Sequence, residues 1–199
     1  SPRCTCRRER HVDLTRGPGR LVAAVPTADG VALATSEDSW AVRTDDPAST
    51  LAALDGELRP RWVWWSARSA LAPLLAARPG LRLTRCWDLA AVHRLLQGGS
   101  ADDPARVWAA CHGLDVGGLP ADGQLDLLGG QAEGTDGPLR ADGHLTADWA
   151  GGAWAADLER ARLWARLALD AQGRQEERVR ARRAGGDALT TAWSESAAA

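Results

Sequence analysis

The chain has 199 residues, with 24 basic against 26 acidic side chains, a formal charge of −2 and a pI near 6.1. That length suits one compact domain, or one domain with a helical tail, and needs no disulfide or metal staple; the near-neutral charge argues against gripping nucleic acid by bulk charge alone. No apolar run nears the ~20 residues that span a bilayer and no charged-then-apolar leader opens the chain, so the expected setting is cytoplasmic, without a membrane partner.

Ser1 to about Gly19 is polar, Arg-rich and aperiodic, and reads as a disordered arm (1–19) outside the fold. Three short strand signals follow: Leu21–Val25 up to Pro26, Val31–Thr35 after the Asp29-Gly30 turn, and Trp40–Arg43 after Glu37-Asp38. Links this short force an antiparallel meander. The period then changes. Asp46 as N-cap and Pro47 at the first helical position predict a helix to Leu58, with Pro60 after it. Trp62–Trp65 has the density of a strand buried on both faces. Ser66 or Ser69 caps a helix to about Arg78 that holds Pro73 in its first turn. Leu81–Cys86 alternates as a strand, Asp88 caps a helix ending at Gly98-Gly99, and Asp103-Pro104 opens another that ends at Gly113.

Residues 114–152 are rich in Gly, Asp and Pro and predict a long mobile loop or tether. Helix resumes at about Ala153, with Leu158, Leu163, Leu167, Leu169, Trp154 and Trp164 as its apolar side. Arg174 to Arg183 is almost wholly charged. Gly185-Gly186 breaks the helix and Asp187 caps a last one that stops at Ala199 in mid-pattern. A meander followed by strand–helix–strand crossovers, which are right-handed and parallel, predicts an α/β fold with a ribonuclease H-like mixed sheet over 20–113, completed by helices over 153–199.

Met, Phe, Tyr, Lys, Ile and Asn, whose codons begin with two A or T bases, are all absent. The bias points to a GC-rich genome or a reduced alphabet, and the missing initiator Met to a piece of something longer. It also removes chemistry: there is no Lys for a Schiff base or a P-loop and no Tyr for a phenolic acid.

A ribonuclease H-like nuclease holds two divalent metals with about four carboxylates, which bracket the attacking water and the leaving oxygen. Here the first strand has no acid, nor has Ser66 to Leu75. Asp157 stands alone on the late helix, and Glu37-Asp38 reads as turn chemistry. Metal hydrolysis is not expected. Cys111-His112 are sequence neighbours, which does not bring a base onto a thiol, and no nucleophile-elbow pentapeptide occurs. A zinc site from Cys4, Cys6, Cys111 and His112 has poor spacing; two buried thiols and a disordered arm fit better. His93 and His144 read as surface histidines. Trp62, Trp64 and Trp65 could stack on bases, but with Trp the only aromatic they are expected in the core. Arg174, Arg178, Arg180, Arg182 and Arg183 are the candidates for tracking phosphates, set against a solvated face with i,i+4 pairs such as Glu176–Arg180.

Arg61-Trp62-Val63-Trp64, Arg85-Cys86-Trp87-Asp88-Leu89-Ala90-Ala91 running into Leu95-Leu96, and Thr191-Ala192-Trp193-Ser194-Glu195-Ser196-Ala197-Ala198-Ala199 resemble the N-terminal part of the bifunctional 3'-5' exonuclease/DNA polymerases of family A from high-GC bacteria. The resemblance runs from about Leu21 to Ala199. It implies a proofreading-type domain ahead of a polymerase domain in cis, DNA as partner through the parent protein, and Mg2+ for the parent polymerase, with no cofactor for this chain. Trp154-Ala155-Ala156-Asp157 is similar to the phrase that supplies the last metal ligand, with Trp in place of the water-orienting Tyr; Asp157 is thus a remnant ligand. Asp88-Leu89 matches a structural position. The expected function is therefore a degenerate, non-catalytic exonuclease-like scaffold in DNA replication or repair. The alternatives are a live metal-dependent exonuclease using Asp29, Glu37 or Asp38, and a protein-interaction module.

Overall fold

The structure, a computed structural model, describes residues 19–83, 85–119 and 137–184. Most of the arm, the Cys4 and Cys6 thiols, the middle of the Gly/Asp-rich segment and the expected last helix lie outside the described residues.

Five strands form one mixed sheet in the order β3-β2-β1-β4-β5: β1 Leu21–Thr27, β2 Gly30–Ala34, β3 Ser39–Arg43, β4 Arg61–Trp64 and β5 Cys86–Asp88. β1 pairs antiparallel with β2, and β2 with β3; β1 and β4, and β4 and β5, run parallel. The chain is an α/β protein with helices on both faces of this sheet. Its turns have local causes. Gly30 sits at φ +148°, where a Cβ would stand 2.1 Å from the Val42 carbonyl oxygen, so this hairpin register accepts glycine alone. Pro26 is tolerated because β4 pairs with β1 only over Leu21–Ala23, leaving no ladder that needs its missing N–H on that side.

Helices α1 (Pro47–Leu58), α2 (Ala67–Ala77), α3 (Leu89–Gln97) and α4 (Pro104–His112) begin at Asp46, Ser66, Asp88 and Asp103, each of which accepts a hydrogen bond from the amide three residues on. Asp88 has a second task. Its other oxygen takes the Ala67 amide at 3.1 Å, so one carboxylate caps α3 and α2 together.

Alternation along the strands separates two cores. Val22, Ala24, Val31, Leu33, Trp62 and Trp64 face α1 and α2; Ala23, Val25, Ala32, Ala34, Val63 and Trp87 face the last helix, α6 (Leu158–Ala184). The buried side of α6 matches the row read from sequence only at Leu158 and Trp164, which are buried. Leu163 is exposed, Leu167 and Leu169 are partly buried, and the residues against the sheet are Ala161, Ala165, Ala168 and Ala171. A helix lying flat on alanine-bearing strands needs side chains that let the backbones approach; leucine would hold it off.

Three further expectations change. The strand read over Leu81–Cys86 forms only at Cys86–Asp88, the stretch in register with Trp62–Trp64, while Leu81 is buried beneath α2 without strand pairing. Pro73 lies inside α2, because the helix starts at Ser66. The segment read as loop to residue 152 reaches the core at Leu145 and Trp149. Leu139 and Leu145 form a bridge, Leu145 and Trp149 are buried, and a one-turn helix α5 (Ala147–Ala150) precedes a 3-10 turn at Ala153–Ala156. No helix among the described residues is long and apolar enough to cross a membrane.

Candidate functional site

In an open α/β sheet, ligands settle at the carboxyl ends of the strands, where the order of strands changes direction. Here β1 and β4 are the central parallel pair, and the hairpin after β1 and the crossover after β4 leave a crevice of about 830 Å3 at that end. Its walls come from the end of β1 (Ala24 to Ala28), the start of α1 (Asp45 to Ala48), α2 from Ser66 onward, and the indoles of Trp65, Trp154 and Trp164.

These indoles form a row. Trp65 and Trp164 are stacked, with centroids 4.3 Å apart and planes within 18°; Trp154 is parallel to Trp164 within 4° at 6.0 Å. The Trp65 indole N–H donates to the Trp164 carbonyl at 3.1 Å, tying the end of β4 to α6. Trp164 is fully buried and Trp154 partly exposed.

The polar groups are few. Asp46 accepts the Ser49 amide at 2.9 Å as the cap of α1, and the Ser49 hydroxyl and then this amide hold its carboxyl below the ordinary range. Asp45 stands beside it, exposed. Ser66 caps α2. Pro73 has no N–H to give the Ser69 carbonyl one turn earlier, and both residues line the crevice. No lining side chain is basic.

The donor set does not fit a two-metal centre. β1 ends in Val25-Pro26-Thr27 where such chemistry needs carboxylates, and of the two acids at the rim Asp46 is committed to its helix. Among the described residues no three His, Cys, Asp or Glu side chains gather in a metal-holding group. Asp157, the remnant ligand implied by the resemblance, caps α6 by accepting the Arg160 amide at 2.8 Å. Glu37 and Asp38 lie at the opposite end of the sheet, Glu37 3.1 Å from Arg20 and Asp38 accepting the Ser39 amide at 2.7 Å. Asp29 is at the β1–β2 turn, its carbonyl held by the Thr44 amide.

The five candidate arginines at the carboxyl-terminal half of α6 do not form one surface. Arg178 donates to the Cys111 carbonyl at 3.4 Å and Arg182 to the Leu96 carbonyl, so each guanidinium satisfies the carboxyl end of a neighbouring helix, α4 and α3 respectively. Arg174 pairs with Asp170 at 3.6 Å and Arg180 with Glu176 at 2.9 Å, as i,i+4 pairs, and Arg183 is exposed.

Cys86 and Cys111 are buried, and burial pushes both thiols up to about 11, which leaves them neutral. The Cys111 thiol lies 3.7 Å from the Ala171 carbonyl, while the His112 ring stacks on Trp108 and meets Asp170 at 3.0 Å. Burial lowers the affinity of His112 for a proton. His93 and His144, read as surface residues, are both buried. His144 lies 2.9 Å from the Asp115 carbonyl and 3.2 Å from Asp142, which pins residues 139–145 beside the exit of α4.

Trp62, Trp64 and Trp65 are core residues as expected, but the indole row with Trp154 and Trp164 escaped the sequence reading, since its members are up to 99 positions apart. The available signal was the placement of Asp46 and Ser66, two helix caps that each follow a strand.

No protein-family model, no curated protein and no solved structure matches this chain.

Proposed function

We propose that the chain is a ribonuclease H-like domain of the proofreading type that has lost its catalytic acids, the N-terminal portion of a family A DNA polymerase, serving in cis as a scaffold in the cytoplasm. The observation that carries this is one coincidence. The order β3-β2-β1-β4-β5, with β1 antiparallel to β2 and parallel to β4, is the arrangement expected of that fold, and the strand end where two-metal hydrolysis would need acids reads Val25-Pro26-Thr27. The residues present do not suit Mg2+ binding in this domain; the metal belongs to the parent polymerase.

A contact with DNA falls to Arg174, Arg180 and Arg183, the outward members of the α6 set. Arg178 and Arg182 instead hold α6 against α3 and α4. Such a contact is weak and salt-sensitive, because few phosphates are neutralised.

The test has two arms. Incubated with Mg2+ or Mn2+, the purified chain leaves a labelled single-stranded DNA at full length; shortening that EDTA and Asp45→Ala or Asp157→Ala abolish means a live exonuclease. The genomic sequence beyond Ala199 then carries polymerase motifs in the same frame. A frame without them removes the parentage.

A further inference from the structure

We propose that the crevice at the carboxyl ends of β1 and β4 is a binding site for a planar heteroaromatic molecule that bears N–H donors and no negative charge. The site stands on its own geometry and does not require the polymerase parentage.

Shape comes first. A volume of about 830 Å3 lies within the range of small-molecule sites, and its apolar wall is an aromatic stack. Trp65, Trp164 and Trp154 are close to parallel, so they present a flat layered surface, unlike the cage of crossed rings that surrounds a quaternary ammonium. A flat ring continues such a stack; a branched aliphatic ligand does not. Trp164 cannot move toward solvent without leaving the core, so the stack is fixed before any ligand arrives.

Charge selects next. Two helices, α1 and α2, start at this crevice, and helix starts ordinarily attract anions. Both are already served by carboxylates: Asp46 takes the Ser49 amide and Asp88 takes the Ala67 amide. Asp45 adds a second rim carboxylate, and Arg and His are absent from the lining. A phosphate or carboxylate ligand therefore meets like charge from the lining, and the cation nearest Asp46, Arg78, is already set against that carboxylate and bonded to the Ser49 hydroxyl at 2.8 Å. The groups that remain are the Asp45 carboxylate and the Ser69 carbonyl that Pro73 leaves without its helical amide, both acceptors, with the Ser66 hydroxyl beside them. They call for a ligand that donates.

Isothermal titration calorimetry of the whole chain with adenosine, in EDTA, tests the assignment, with adenosine 5'-monophosphate as the anionic partner of the pair. Saturable heat is expected with adenosine. Trp154→Ala weakens binding about tenfold, the usual scale for removing a stacking indole. Ala70→Leu, which fills the crevice without touching the stack, weakens it as well and guards against a Trp154→Ala variant that misfolds. The monophosphate binds severalfold more weakly than adenosine. Absence of heat with adenosine overturns the site, as does unchanged affinity in a folded Trp154→Ala or Ala70→Leu variant; tighter binding of the monophosphate overturns the charge assignment. Each of these outcomes is separate from whether the chain degrades DNA or precedes a polymerase.

Discussion

The two faces of the sheet are held by different physics. On one face α1 and α2 lie over leucines, Trp62 and Trp64, and their fastenings are near in sequence: the caps at Asp46 and Ser66, and the Trp62 indole donating to buried Asp55 at 2.7 Å, seven positions away. On the other face α6 lies on small residues and is fastened by bonds that span the chain. Buried Gln175 accepts the Trp87 indole N–H at 2.9 Å and donates to the Leu89 carbonyl at 2.9 Å; Trp65 reaches the Trp164 carbonyl; Arg178 and Arg182 reach α4 and α3. Alanine against alanine buries little area per residue, about 25 cal/mol for each Å2 removed from water. Directional bonds must then fix where the helix sits. When Trp supplies every large aromatic side chain, each buried indole also brings an N–H that needs an acceptor.

Asp88 serves both faces, so it offers the strongest way to break the comparison. Asp88→Ala removes the cap of α3 and the acceptor of the Ala67 amide at the start of α2, and strands two buried amides; the expected loss is about 3 kcal/mol in a denaturant titration. A loss no larger than that of a single cap would mean that the two helices do not depend on the shared carboxylate. Gln175→Leu conserves volume but removes the acceptor that the Trp87 indole N–H uses and the amide that donates to the Leu89 carbonyl, and should cost about 2 kcal/mol. The effect belongs to the α6 face alone, so hydrogen exchange should quicken in α6 and α3 while α1 keeps its protection; uniform quickening would refute the separation.

The smallest effect is a pH dependence on the α6 side. Burial lowers the pKa of His93 and of His112 from the ordinary 6.5, so the unfolded chain binds their protons more readily than the folded one. Stability is full above pH 6.5 and declines as pH falls toward the lowered values, by at most about 1.4 kcal/mol per histidine for each pH unit. His93→Leu should flatten the slope between pH 7.5 and 5.5. A slope unchanged in that variant would assign the dependence elsewhere.

What could be read from sequence was what closes within a few residues. Asp46-Pro47, Asp88 and Asp103-Pro104 each announce a helix start because cap and amide are three positions apart, while for α2 the sequence offered Ser66 or Ser69 and the cap is Ser66. The hairpins were visible for the same reason. Partners far along the chain were not. The alternation Leu81–Cys86 has the right period, but only the three residues that meet Trp62–Trp64 become a strand, and periodicity carries no register. Around the Gly- and Asp-rich stretch, two residues, Leu145 and Trp149, join the core without any repeat to mark them. The leucines of α6 drew attention because they are large, whereas the sheet beneath selected alanine. At the crevice, the missing acids of β1 were plain from the sequence, but the indole row became visible only once α6 crossed the sheet.

The two outer strands are blunt. β5 is three residues long and turns at once into α3, and the Ser39 carbonyl of β3 is occupied by the Arg162 guanidinium of α6 at 2.8 Å. An added strand from a second molecule would find too short a ladder on one side and a carbonyl already taken on the other. Growth by edge-to-edge addition is therefore discouraged at both borders, by brevity and by an arginine rather than by a run of lysines along the margins.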